Sequence, residues 1–459
     1  MVEKNQSYIA LIEDLTLEGN GVCKIDGFAV FVPMTAVGDT VKIKIVKVLK
    51  NYGFGIVEEI IVPSESRIEV DCKAFKQCGG CSFRHISYDA ELRLKEKAVK
   101  DAFNRIGGFS LPPESILGSE KTEYYRNKAQ FPLGIDDNGK AISGFFAKRS
   151  HRIIKTDCCK IQDKRFNELV EWILGFINRK KIKIYDEKTQ KGDLRHIYLR
   201  VAGKTGEIMV CLVSSKRKLP FSEEFSKELT EQFPDVKSVV LNYNPRNTNV
   251  ILGNEYDILS GKETITDIFL DNEFAIAPAS FYQVNKEQAE LLYSLAFDYA
   301  EFKGEETLLD VYCGIGSIGL SAYSKVKKLI GVEVVPPAIE NAKKNAVLNN
   351  AKNTEFICAD AKKASKELLQ KGLRPDVILV DPPRQGCDKE VLESIVEMAP
   401  EKVVMISCNP STCARDCKIL SENGYKLIKY RPVDMFPRTS HVETVALLSR
   451  QSNCEKQYK

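Results

Sequence analysis

The stretch Leu308-Leu309-Asp310-Val311-Tyr312-Cys313-Gly314-Ile315-Gly316-Ser317-Ile318-Gly319 begins as an apolar strand and breaks at a Gly-x-Gly-x-x-Gly turn that opens a helix. Such a turn lets backbone approach a ligand and aims helix N–H groups at it. Downstream, apolar runs at residues 328–334, 355–358, 377–380 and 403–406 alternate with helical patterns such as residues 338–349. Alternation of this kind predicts a doubly wound parallel sheet. Residues 425–431 and 443–448 follow as two strands with no helix between them, which predicts an antiparallel edge. Upstream, Asn285 as N-cap with Gln288 at the capping-box position opens a helix reaching about residue 302.

The turn alone serves a dinucleotide, another nucleoside-type cofactor or no ligand at all. Its surroundings favour one of these. Asp310 lies four residues before Gly314, and Glu333 ends the next strand, where a carboxylate can hold ribose hydroxyls. An acid on the first strand sits badly beside a pyrophosphate but tolerates the sulfonium and amino group of S-adenosylmethionine, leaving nicotinamide or flavin dinucleotides and a structural turn as alternatives. Asp381-Pro382-Pro383-Arg384 ends a later strand, and its prolines stiffen the loop that carries the acid, unless it is an ordinary turn. One strand further, Ser407-Cys408-Asn409-Pro410 places Cys408 at the same edge, before a helix start expected to lower its pKa. It is a candidate nucleophile, although isolated cysteines are more often inert core residues.

The remaining chain adds two features. With 459 residues, 43% of them hydrophobic, two or three domains are expected. No apolar run approaches the roughly 20 residues of a membrane span, and the start has no secretory pattern, so a cytoplasmic protein is expected. Fourteen cysteines then read as metal ligands, reactive thiols or core residues rather than disulfides. Residues 8–59 alternate short β-type runs with turns, and Val41-Lys42-Ile43-Lys44-Ile45 puts lysines on one face of a small barrel, with Lys47 beyond them. After Pro63 comes Cys72-x5-Cys78-Gly79-Gly80-Cys81, with a remote partner at Cys158 or Cys159. Three clustered thiols plus one distant one suit a four-thiolate iron–sulfur cluster, with zinc or no metal as alternatives. Residues 88–106 read as an amphipathic helix with Leu92, Val99, Phe103 and Ile106 on its buried face. Residues 121–204 carry 20 Lys or Arg against 10 Asp or Glu, although the whole chain is only +4. This stretch, including Arg126 and Lys128, is either a phosphate-binding surface or merely a solvated one.

Together these residues resemble the RNA uracil-5-methyltransferases, specifically the large-subunit ribosomal RNA branch with a TRAM domain and an iron–sulfur cluster. The resemblance runs over essentially the whole chain. It rests on the cysteine cluster, Phe281-Tyr282-Gln283-Val284-Asn285, the glycine turn, Asp381-Pro382-Pro383-Arg384, Ser407 to Thr412 with Ala414-Arg415-Asp416, and Asp434-Met435-Phe436-Pro437 leading to His441-Val442-Glu443-Thr444. It implies three units: an OB-like TRAM β-barrel (residues 1–62), an α+β central domain binding RNA and the cluster (63–87 and 112–270), and a Rossmann-like class I methyltransferase domain (271–459). Residues 88–111 would dock on the last. It makes Cys408 the nucleophile and Glu443 the base, and puts Gln283, Tyr312, Glu333 and Asp381 around S-adenosylmethionine and the target base. Asp360 would reach the adenine, and Ser317 stands where some relatives have Asn. Cys72, Cys78, Cys81 and Cys159 would hold a [4Fe–4S] cluster. The implied partner is 23S ribosomal RNA, because the transfer-RNA branch lacks barrel and cluster; no protein partner is expected, and the chain would be a monomer.

Overall fold

The computed structural model describes residues 2–148, 150–156 and 158–451, so the last eight residues of the third expected unit lie outside the described residues. At the N-terminus six strands form a curled sheet in the order Ser7–Leu11, Thr40–Val48, Tyr52–Val62, Phe28–Pro33, Asn20–Ile25, Asp14–Leu15. Val41, Ile43 and Ile45 are buried while Lys42 and Lys47 are exposed and Lys44 half-buried, as a period of two requires. A buried carboxylate closes the barrel. Asp39 accepts two bonds from Arg67 at 2.7 Å and one each from the backbone N–H groups of Ala36 and Ser64. Burial pushes its carboxyl up, but these donors outweigh it and hold it below the usual carboxylate range.

Helix Tyr88–Arg105 is capped by Ser87 and packs Val99, Ala102 and Phe103 into the core of the C-terminal sheet, where Phe103 stacks on Tyr430 at 3.9 Å between centroids. Ile106 is the C-cap, outside the helix, and exposed, whereas Glu91 and Lys95 near the N-terminal end are buried. The Lys95 ammonium, 0% exposed, donates to Glu91 and to Asp434, both at 2.7 Å. Tyr88 donates to the other Asp434 oxygen, and the Arg438 N–H to Glu91. An i, i+4 spacing that reads as a solvent-exposed ion pair is thus a buried joint between the helix and residues 434–438.

The central region is a seven-stranded sheet in the order Glu255–Gly261, Val236–Tyr243, Ile208–Ser214, Leu194–Val201, Lys128–Ile135, Ala141–Phe146, Ile153–Lys155. Helices Arg165–Lys180 and Ser222–Gln232 cover one face. The hairpin Ile265–Phe269 and Asn272–Ile276 then joins the core of the C-terminal unit, so the expected start at residue 271 falls at its turn. Helix Lys286–Ala300 follows, with Asn285 accepting from the Gln288 N–H; the Gln288 side chain donates instead to the carbonyls of Gly118 and Asp434, so the reciprocal half of the capping box is absent.

The C-terminal sheet has seven strands in the order Thr354–Cys358, Lys328–Glu333, Thr307–Val311, Val377–Val380, Lys402–Ser407, Glu443–Arg450, Tyr425–Val433. The first five are parallel, and Glu443–Arg450 runs antiparallel between Lys402–Ser407 and Tyr425–Val433, as the missing helix between the last two predicts. This is the doubly wound sheet with an antiparallel pair at one edge that the sequence predicts.

Candidate active site

Strand order and register fix the site. Val311 pairs with both Val332 and Val380, Val380 pairs with Met405, and Ser407 pairs with Thr444. The residues at the carboxyl edge therefore form a row in spatial order: Glu333, Tyr312, Asp381, Cys408, Glu443. With neighbouring strands about 4.8 Å apart, Glu333 and Cys408 are separated by roughly 14 Å, the span of a nucleoside carrying an amino-acid tail. The switch between strands that run to either side of Thr307–Val311 places a crevice at this edge.

Each side chain is held by its surroundings. Glu333 accepts the backbone N–H groups of Gly314 at 3.2 Å and Val335 at 2.9 Å, which fixes its carboxylate against the glycine turn. Gly316 takes a left-handed φ of 82°, and a Cβ on Gly319 would meet the Asp310 carboxylate at 2.8 Å, so the turn closes onto the first strand only with glycine at both places. Tyr312 itself is left-handed, at φ 72°. Gln283 is buried; its carbonyl accepts from Asn127 Nδ2 at 3.0 Å, and the adjacent Val284 carbonyl from the Asn127 N–H at 2.8 Å. The buried Tyr293 hydroxyl reaches Ser317 and Gln283 and faces Asp381, so Ser317 packs within the site. Asp360 caps helix Ala361–Gln370 through the Lys362 and Lys363 N–H groups.

The row is crowded with acid groups. Burial raises Asp381 to about 7, and burial with the neighbouring Asp381 and Glu333 charges raises Asp310 to about 7 against the Gly319 N–H. Burial and Asp381 push Glu443 up to about 8, with Arg384 pulling the other way. For Cys408, burial and the Glu443 and Asp381 charges push the thiol up to about 11, against Arg384 and a backbone N–H. The pKa-lowering expected from the start of helix Pro410–Glu422 is therefore outweighed, first by burial of the thiol and then by the Glu443 and Asp381 charges. Cys408 is half-buried, whereas Cys313, Cys387, Cys413 and Cys417 are sealed in the core. Asn409 holds the bend, capping the Ser411 N–H and donating to the Arg384 carbonyl at 3.0 Å. Arg384 was visible in sequence only as the end of a motif; the structure brings it against both Cys408 and Glu443 as the neighbouring positive charge.

The other candidate cluster also converges. Cys72, Cys78, Cys81 and Cys159 are free thiols lining one cavity of about 80 Å³, together with Arg84, Arg126 and Ile161. Cys158 does not line it; it is exposed, near Tyr124 and Asn167. Among the described residues no three ligating side chains come close enough to hold a single metal ion. Arg126 was expected on the phosphate-binding surface, but it lines this cavity and packs over the Phe436 ring at 5.7 Å. Lys128 is half-buried, and burial with the Arg200 and Arg126 charges lowers its amine to about 8.

Residues 87–451 match the family model described as tRNA (uracil-5-)-methyltransferase, and residues 2–57 match that of the TRAM domain. The chain belongs to this uracil-5-methyltransferase family. It is 45% identical over 455 residues to an uncharacterized RNA methyltransferase of Clostridium tetani, covering 99% of both chains. It is 46% identical over 450 residues to one of Oceanobacillus iheyensis, covering 98% and 97%. Among solved structures, the Pyrococcus abyssi tRNA (uracil-54, C5)-methyltransferase in complex with S-adenosyl-L-homocysteine matches 96% of this chain and 100% of its own, with TM-score 0.77 and 28% identity. Among the described residues no helix is long and apolar enough to cross a membrane.

The charges around Cys408 set its response to alkylation. In this family member, carbamidomethylation of the Cys408 peptide should rise with pH to a midpoint well above the ordinary cysteine value of about 8.5. Glu443→Gln or Asp381→Asn removes a negative neighbour and should lower the midpoint; Arg384→Ala should raise it. A wild-type midpoint at the ordinary value, or one indifferent to Glu443→Gln, would contradict the arrangement.

Proposed function

We propose that the chain transfers a methyl group from S-adenosylmethionine to carbon 5 of a uracil in 23S ribosomal RNA through a covalent adduct with Cys408. The observation that carries this reading is the row Glu333, Tyr312, Asp381, Cys408, Glu443 along one sheet edge, with Gln283 held above it. Glu333 is set to hold ribose hydroxyls, and Tyr312, Asp381 and Gln283 to bound the space between ribose and target base. Acids at Asp310 and Asp381 suit a cationic donor, and the S-adenosyl-L-homocysteine in the Pyrococcus abyssi relative accords with that. The bound donor supplies an electrophilic methyl group.

Carbon 5 of uracil is a poor nucleophile, so the protein must first change the ring. The Cys408 thiol passes its proton to water in the crevice and the resulting thiolate adds to carbon 6, which moves electron density onto carbon 5 as an enolate. Arg384 is the positive charge beside this event. Once carbon 5 carries the methyl group, its proton must leave and the carbon–sulfur bond must break. Glu443, one ladder position from Cys408, is the base in reach. Its value of about 8 lies close enough to neutrality for it both to take that proton and to return it to solvent. The uridine must be unstacked to enter, at a few kcal/mol that a loop context reduces.

The Cys72, Cys78, Cys81 and Cys159 cavity suits a [4Fe–4S] cluster: four soft donors from two chain segments surround one closed space, and two guanidinium groups offset the charge of thiolates. Its role would be to tie the 70s loop to the segment at Ile161. Anaerobically purified protein should carry about four iron and four sulfide per chain. Stoichiometric zinc without sulfide would reject this assignment.

Ribosomal RNA as target rests on the motif resemblance. The barrel does not help, because a transfer-RNA enzyme matched over 96% of this chain must share most of it. That match favours a second reading, in which the target uracil lies in transfer RNA. A strain lacking the protein decides between them by mass mapping of methylated uridines in 23S ribosomal and transfer RNA. A 23S uridine should lose its methyl group and regain it with the wild-type chain but not with Cys408→Ala. Loss confined to transfer RNA would select the second reading, and restoration by Cys408→Ala would reject the covalent step.

A further inference from the structure

The cysteine cavity carries a buried positive charge that the protein itself only half uses. Arg84, three residues after Cys81, lines the cavity and is 3% exposed. Its Nη1 donates to Asp71 at 2.6 Å and to Glu123 at 2.9 Å. Among the described residues its Nε and Nη2 have no hydrogen-bond partner, although both are buried. Buried polar atoms are normally satisfied, so the guanidinium holds unused donor capacity. Of the ionisable groups around it, the Cys81 sulfur acts on it most strongly, ahead of Asp71 and Glu123. The free part of the fork therefore faces a thiol, a weak acceptor that becomes a strong one only as a thiolate.

The acids that hold Arg84 also hold the segments that carry the other thiols. Asp71 immediately precedes Cys72, and Lys160 immediately follows Cys159. Lys160 Nζ lies 3.7 Å from Asp71 and 4.0 Å from Glu123, the same two carboxylates that Arg84 engages. Two cations and two acids thus join the neighbours of Cys72, Cys81 and Cys159. Asp71, Glu123 and Lys160 are partly exposed, so water screens them and their contribution is mainly to orient the fork. Arg84 is the sealed member, and its charge acts with little screening on whatever lies against Cys81.

Resting on the [4Fe–4S] reading above, we propose that Arg84 sets the reduction potential of that cluster by donating from its free edge to the Cys81 sulfur. Four thiolates give the site net negative charge, and an added electron increases it. A guanidinium against one of the sulfurs offsets that increase, so it raises the potential and makes loss of an electron harder. Hydrogen bonds to sulfur and nearby charge are the means by which a protein tunes such a site. Asp71 and Glu123 work in the opposite sense, because each neutralises part of the fork.

The test uses the full chain, purified anaerobically with its iron and sulfide, and reads the midpoint potential from the paramagnetic resonance signal during titration with dithionite. Arg84→Gln keeps a donor but removes the charge, and should lower the midpoint by about 59 mV, a tenfold shift for one electron. Its visible absorbance should also bleach several times faster in air than that of the wild type. Arg84→Lys keeps the charge and should recover at least about half of the lost potential. Glu123→Gln, at a partly exposed carboxylate outside the cavity lining, relieves the fork of a negative neighbour and should raise the midpoint. Loosened packing alone would not move the two positions in opposite directions. If Arg84→Gln loses its cluster during purification, Glu123→Gln still decides. A midpoint unmoved by Arg84→Gln, or unmoved or lowered by Glu123→Gln, would overturn the role of Arg84 and leave the cluster reading standing. Wild-type protein without iron and sulfide would remove the cluster reading, and this inference with it.

Discussion

The Lys95 ammonium, fully buried between the Glu91 and Asp434 carboxylates, is the constraint on which the relation between the parts depends. Its helix is otherwise joined to the C-terminal unit by the apolar side chains at Val99, Ala102 and Phe103. Asp434 opens the segment that carries Phe436 and Arg438 and ends at Glu443. The Ser82 and Phe83 N–H groups bond to the Arg438 carbonyl, which brings the cysteine loop to the same place. Removing one partner of such a set leaves an uncompensated charge in the interior, at about 3–5 kcal/mol. One ammonium thus holds together the helix, the cysteine loop and the loop before the proposed base.

From that joint the chemistry follows by register. The antiparallel return of Glu443–Arg450 beside Lys402–Ser407 brings the proposed base and nucleophile to adjacent ends of neighbouring strands, although they are far apart in sequence. Burying several acids along one edge makes each harder to ionise and keeps the thiol protonated in the free protein. In the proposed reaction a positively charged donor beside Asp381, together with Arg384, would relieve that penalty, and the thiolate would form most easily with the crevice filled.

The alternating sheet and its glycine turn were legible because strand and helix periods differ and glycine marks the turn. The antiparallel edge was legible from a missing helix. Cys72, Cys78 and Cys81 cluster in sequence and meet Cys159 around one cavity, whereas spacing alone left Cys158 equally open as the remote partner. Less legible were effects that depend on burial. Glu91 and Lys95 show an ordinary solvated spacing, and nothing local reveals that Asp434 closes the set. Arg126 and Lys128 belong to a basic stretch, yet both are half-buried and Arg126 lines the cysteine cavity. Cys408 precedes a helix start, yet burial, with the Glu443 and Asp381 charges, reverses the expected direction of its shift. The barrel is a weak mark of ribosomal substrates, because the match to the Pyrococcus abyssi tRNA (uracil-54, C5)-methyltransferase spans 96% of this chain.

The covalent adduct is the central claim, and an RNA carrying 5-fluorouridine at the mapped target tests it most directly. Fluorine in place of the carbon 5 proton leaves Glu443 nothing to remove, so the carbon–sulfur bond stays closed after methyl transfer. The expected result is a protein–RNA species stable to denaturation that carries one methyl group and digests to a nucleotide on the Cys408 peptide. Free methylated RNA with no adduct, or a nucleotide attached to any other cysteine, would contradict it.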